Sequence, residues 1–99
     1  MSRFLISKDA SHDLNEIIDY FTANSLNAGD RFVAAFNQKC EHLTQFPNIG
    51  KRYPDLHPTM RGIVFDRYIL FYEPTDDGIV IARIVSGKRD LSNLFESIE

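Results

Sequence analysis

The sequence predicts an α+β fold of order β-α-α-β-β-β, with a helix hairpin packed on a small, mostly antiparallel sheet. Three observations predict it. Two amphipathic stripes at helical spacing fill the first half of the chain. A connection rich in Pro and Gly follows. Three short apolar runs joined by tight turns fill the second half. The 99 residues suffice for one domain, 1–99, with one modest core.

Arg3 to Ile6 reads as a short strand with Phe4 and Ile6 on one face and Leu5 on the other. Ser7 or Asp9 then caps a helix. Ala10, Leu14, Ile17, Ile18 and Phe21 form its apolar stripe, and Ser11, Asp13, Asn15, Glu16 and Asp19 its wet, acidic face. Asn24-Ser25 ends this helix, and Asn27 is a natural cap for the next. The second helix is expected from about Ala28 to Phe46, burying Phe32, Phe36, Cys40, Leu43 and Phe46. Pro47 stops it, because proline cannot continue the hydrogen-bond ladder. So short a joint between the helices makes an antiparallel hairpin.

Pro47 to Pro58 reads as irregular connection. Strands are expected at Met60 to Phe65, Tyr68 to Glu73 and Ile79 to Ser86, the last being central. Asp66-Arg67 turns the first pair. Pro74 to Gly78 turns the second, where Asp77-Gly78 is a hairpin signal. Leu91, Leu94, Phe95 and Ile98 recur at helical spacing, so the tail is expected to pack back on the domain.

Composition excludes several functions. A hydrophobic fraction of 43% is globular, and a net charge of −3 gives no global attraction to nucleic acid. The single Cys40 leaves no internal disulfide and no Cys-rich zinc site. No apolar run is long enough to span a bilayer, and the N-terminus is too short for a signal peptide, so a soluble cytoplasmic protein is the expectation. His12, His42 and His57 lack ligand partners at metal-binding spacing. No phosphate-binding glycine loop and no G-x-S-x-G occurs, and Cys40 sits on the core stripe. No cofactor, metal or catalytic residue is expected.

The basic residues remain. Seven of the eleven Lys and Arg follow Pro47. Lys51, Arg52, Arg61 and Arg67 form one group; Arg83, Lys88 and Arg89 form another at the exit of the last strand. The expected pairing places Arg61 near that exit, so the groups converge. Arg83 stands inside an apolar strand, where a charge must be paired or face outward. Asp90 is a candidate partner for Arg61 or Arg83.

The chain resembles the ParE branch of the RelE/ParE toxin superfamily, the plasmid-stabilisation toxins of type II toxin–antitoxin modules. The resemblance rests on Ser7-x-x-Ala10-x-x-Asp13-Leu14-x-x-Ile17-x-x-Tyr20, on Ala28, Phe32 and Phe36, and on Leu43-x-x-Phe46-Pro47-x-x-Gly50-Lys51-Arg52. It continues through Arg61-Gly62 and Tyr68-Ile69-Leu70-Phe71-Tyr72. It ends on Ile79-x-Ile81-x-Arg83-Ile84-Val85-Ser86-Gly87-Lys88-Arg89-Asp90-Leu91. It implies a non-enzymatic toxin that binds and inhibits DNA gyrase and is neutralised by a ParD-like antitoxin in a hetero-oligomer. Membrane contact and sequence-specific nucleic-acid binding are not implied. Arg61, Arg83, Lys88, Arg89, Asp90 and Leu91 are the expected contacts with antitoxin or target. Leu14, Ile18 and Phe36 are expected to border an antitoxin groove. The tail from Gly87 to Phe95 and the open sheet face are candidates for the gyrase contact.

The alternative implied by the superfamily is a RelE-type ribosome-dependent mRNA endonuclease, which works without metal. Its residue pattern is poorly matched. The C-terminal Tyr position falls at Phe95, an Arg position falls at Ile69, and the paired lysines fall near Ile63 to Phe65, where no lysine occurs. Loss of one such acid–base or phosphate-clamping group commonly costs about 10²-fold. A non-toxic relic that still binds antitoxin is a further alternative.

Overall fold

The computed structural model describes residues 3–87. Two helices pack on one face of a five-stranded mixed sheet. The elements are β1 (Arg3–Ile6), α1 (Lys8–Asn24), α2 (Leu26–Gln45), β2 (Lys51–Arg52), β3 (Arg61–Phe65), β4 (Tyr68–Thr75) and β5 (Gly78–Ser86), with sheet order β1-β5-β4-β3-β2. The expected tail packing lies outside the described residues.

Two serines set the helix ends. Ser7 Oγ accepts from the Ala10 amide at 3.0 Å and donates to the Ala82 carbonyl at 2.9 Å. It caps α1 and fastens it to β5 together. Ser25 is extended, its N–H donating to Phe21 O and its hydroxyl accepting from the Ala28 amide. One residue thus closes α1 and opens α2, a role expected of Asn27. Gly29 lets the helices approach closely, since a Cβ there would collide with Thr22 Oγ1. Phe21 stacks on Phe32 beside this contact.

The sheet is mostly antiparallel, as expected, with one parallel pairing, and it differs from expectation in its edge strand and its centre. Strand β1 pairs in parallel with β5, Arg3 opposite Gly78 through Ile6 opposite Ile81. Lys51 and Arg52, expected in irregular connection, pair with Gly62 and Arg61 as an edge strand. The central strand is β4, whose Leu70, Phe71 and Tyr72 are fully buried, and β5 lies beside it. Strand β4 also runs on through Pro74 to Thr75. Its pairing with β3 ends at Tyr72, so Pro74 leaves no bond to that neighbour unmade. Asp66 takes φ 56° in the β3–β4 turn, a conformation that Asp tolerates better than most residues.

A bulge breaks the β4–β5 ladder. Phe71 faces Arg83 and Tyr72 faces Ile81, leaving Ala82 as the extra residue. Ile79, Ile81 and Ile84 consequently all join the core under the helices, with Phe32, Phe36, Cys40, Leu43, Phe65, Leu70 and Tyr72. Burial of each large apolar side chain there contributes roughly 1.5–3 kcal/mol. A second cluster of Met60, Phe71 and Val85, with Tyr53, Leu56, Ile69 and Ala82 against it, occupies the other sheet face. Phe46, expected in the helix stripe, is 51% exposed. It is the C-cap of α2, where the chain leaves helical geometry before Pro47.

Candidate functional site

Arg61 and Arg83, both expected in one site, are each held by other parts of the chain. Arg83 is committed to α1. Its Nε donates to Asp13 Oδ2 at 2.7 Å and its Nη2 to Asp13 Oδ1 at 3.2 Å. This hydrogen bond, more than any other cause, raises the Arg83 pKa further. Asp13 Oδ2 also accepts from the Ile84 amide at 3.0 Å. Pairing between β1 and β5 stops at Ile81, so the Asp13 carboxylate serves the β5 edge beyond the end of β1. Arg83 therefore has Asp13 as a partner, on the helix face expected to be merely solvated, while Asp90 lies outside the described residues.

Arg61 sits toward the other end of the sheet. It faces Tyr72, which faces Ile81, whereas the exit residue Ser86 faces Tyr68. Arg61 is thus not level with the β5 exit. The β3–β4 hairpin runs back from that exit and carries Arg61 away from it, whereas Arg67 in the turn accepts the Gly87 N–H on its carbonyl at 2.8 Å. Arg61 Nη1 donates to the Asn48 and Gly50 carbonyls at 3.0 and 2.8 Å. The Tyr72 hydroxyl holds the same loop, donating to Pro47 O at 2.7 Å and accepting from the Gly50 amide at 2.9 Å. Burial raises the Tyr72 pKa, opposed by the Gly50 bond and by Arg61. Lys88, Arg89, Asp90 and Leu91 lie outside the described residues.

Leu14 and Ile18 are half-buried and pack on the core. Phe36 is 1% exposed. It cannot wall a surface groove, because β3 covers it, with Phe65 against its ring. The exposed apolar hollow lies farther along the hairpin. It has a volume of about 260 Å³ and is lined by Phe21, Ala28, Phe32, Ala35 and Phe65, with Arg31 and Asp66 also in its wall. Sequence reading missed it, because Phe21 and Phe32 carry the same signal as any core aromatic. Only the meeting of α1, α2 and the β3–β4 turn makes them a concavity.

The outer sheet face carries a row of hydrocarbon. Val64, Ile69 and Val85 stand opposite one another on β3, β4 and β5. Val64 is 69% exposed, Ile69 is half-buried and Val85 is buried. Among the described residues no His, Cys, Asp or Glu group could hold a metal ion. His57 Nδ1, Thr59 Oγ1 and Glu73 Oε1 make a small exposed cluster, at 2.6 to 3.1 Å from one another. Cys40 is buried, and that burial pushes its thiol up to about 12.

The family model described as ParE toxin of type II toxin-antitoxin system, parDE, matches residues 4–91. The chain belongs to the ParE toxin family. A chain of the chromosomal ParDE toxin–antitoxin system from P. aeruginosa shares the fold. Its TM-score is 0.69 at 20% identity, over 87% of this chain and 96% of that one. No curated protein is similar enough in sequence to count as a match. Asp13, Arg83, Arg61 and Tyr72 are engaged within the fold, while Val64 and the hairpin hollow are exposed.

Proposed function

We propose that this ParE-family chain is a toxin that inhibits DNA gyrase by protein–protein binding, without catalysis, and that a ParD-like antitoxin neutralises it in a hetero-oligomer. The toxin family itself follows from the match over residues 4–91. The observation that carries the rest is exposed Val64 beside half-buried Ile69 on the outer sheet face. A nuclease of the RelE type needs phosphate-neutralising and proton-transferring groups on this part of the sheet. Here Val64 and Ile69 present hydrocarbon, while Ile63 and Phe65 face the core, and such a surface suits a desolvated protein contact.

The hairpin hollow suits an antitoxin. Its aromatic lining accepts an apolar anchor from an amphipathic segment, and Arg31 and Asp66 offer polar contacts beside it. We place the toxin in the cytoplasm, with gyrase; no helix among the described residues is long and apolar enough to cross a membrane. A supercoiling assay with purified gyrase tests the reading. Accumulation of cleaved DNA supports it. Inert gyrase beside ribosome-dependent mRNA cutting overturns it in favour of the RelE-type alternative, and inactivity in both assays points to the non-toxic relic.

A further inference from the structure

A basic pair stands at the sheet edge, away from the outer face and the hairpin hollow. Strands β2 and β3 place Arg52 directly opposite Arg61. Residues so paired share one face of the sheet, and like charges in this position destabilise the pairing. Among the described residues neither guanidinium has a carboxylate partner. Both line a cavity of about 240 Å³ together with Asn48, Pro58, Thr59, Met60 and Pro74.

Arg61 is also aimed. Its Nη1 is saturated by the Asn48 and Gly50 carbonyls, and that loop is itself fixed by the Tyr72 hydroxyl. The ordering of this long side chain is complete before any ligand arrives. Nε and Nη2 keep their protons without an acceptor among the described residues. The Arg52 residue is exposed, and its side chain makes no hydrogen bond among them. Two adjacent guanidinia, one fixed and one free to close, match the geometry that takes an oxyanion by charge-assisted bonds.

We propose that Arg52 and Arg61 form an oxyanion pocket whose ligand is a carboxylate side chain of a partner protein. A phosphate group shares the chemistry, but the surroundings favour protein. The chain is net acidic, and nucleic-acid binding draws on many phosphate contacts together. Strand β2 is the outermost strand of the sheet, so an extended partner segment can pair along it while its acidic side chain enters the pocket. The inference sharpens the role of Arg61, and it stands whether or not the partner is an antitoxin.

The test uses the full chain and the arginine side-chain N–H resonances. A short polyglutamate peptide is titrated in one arm and a thymidine oligonucleotide of matched charge in the other. Polyglutamate is expected to shift the Arg52 and Arg61 Nε signals saturably. Arg52→Ala is expected to weaken that binding about tenfold, the loss of one charge-assisted contact. Lys8→Ala, on α1, leaves it unchanged. Because Arg52 holds nothing, its variant should fold, and without peptide its melting temperature should equal or exceed that of the parent. Absent shifts, or equal polyglutamate affinity in parent and Arg52→Ala, overturn the pocket. Tighter binding of the oligonucleotide through the same two arginines overturns the carboxylate assignment.

Discussion

Asp13 on α1 and Arg83 on β5, 70 positions apart, meet in a two-pronged ion pair at 2.7 and 3.2 Å, and the same carboxylate takes the Ile84 amide. The carboxylate thus does three jobs. It neutralises a charge inside an apolar strand, satisfies the β5 edge past the end of β1, and locks the helix hairpin to the sheet. The two partners are not equivalent. Asp13→Ala strands both a guanidinium and a main-chain amide, whereas Arg83→Ala leaves Asp13 its bond to Ile84.

Asp13→Ala is therefore expected to lose about 2–3 kcal/mol, and Arg83→Ala less. Urea denaturation of both variants checks the order. Equal losses would show that the Ile84 bond contributes nothing. Because Arg83 supports the fold, charge reversal there reports on folding before it reports on any partner.

This pair marks the boundary of what was legible in the sequence. Helix periodicity and turn chemistry are local signals, and they placed two helices and four of the five strands. The parallel β1–β5 pairing and the two-residue β2 were not legible, because neither carries a local signal. The Arg83 position was read as needing either a partner or an outward face, and the structure gives it a partner. Its identity required the bulge at Ala82 and the line of α1 across β5, both tertiary facts. The failure at Phe36 has the same origin. Periodicity assigns a residue to an apolar stripe but does not say whether that stripe ends under a sheet or in a groove.

The Tyr72 hydroxyl is the other buried polar anchor. It donates to Pro47 O and accepts from the Gly50 amide, closing the loop that carries the chain from α2 to β2. Tyr72→Phe keeps the ring and removes both bonds, leaving a buried Gly50 amide unpaired. A loss of about 1–3 kcal/mol is expected. Hydrogen exchange at the Gly50 amide should accelerate by at least the factor that this loss implies, while exchange at the Ile81 amide on β5 tracks global stability alone. Unchanged protection at Gly50 would show that the loop is held by Arg61.

Cys40 makes stability depend on alkaline pH. Burial, with a smaller effect from Glu41, pushes its thiol from 9.0 to about 12. Above pH 9 the unfolded chain releases a proton that the native chain keeps, so the folded state loses its advantage. The contribution is fully present below that pH and falls by at most about 1.4 kcal/mol per pH unit as the pH rises toward 12. Cys40→Ala starts from lower stability because of the cavity it leaves. The stability difference between parent and variant should shrink across this window, as measured by urea unfolding at each pH. Subtracting the variant removes the parallel effect of Tyr68 and Tyr72, whose values burial also raises. A constant difference would mean that the native thiol is open to solvent.

Val64 and Ala35 separate the two proposed contacts. Val64 lies on the outer sheet face beside Ile69, and Ala35 lies in the wall of the hairpin hollow. Both are exposed, so a glutamate at either is expected to cost less than about 1 kcal/mol of stability. Val64→Glu buries an unpaired charge only when the outer face docks. It should lower gyrase poisoning about tenfold or more and leave antitoxin affinity within about twofold. Ala35→Glu should do the reverse, because its carboxylate enters a hollow lined by Phe21, Phe32 and Phe65. Poisoning in the supercoiling assay and antitoxin affinity by calorimetry give the two readouts. Loss of both functions in either variant, with the fold intact, would show that gyrase and antitoxin compete for one overlapping surface. Loss of neither would remove the outer face and the hollow from both contacts.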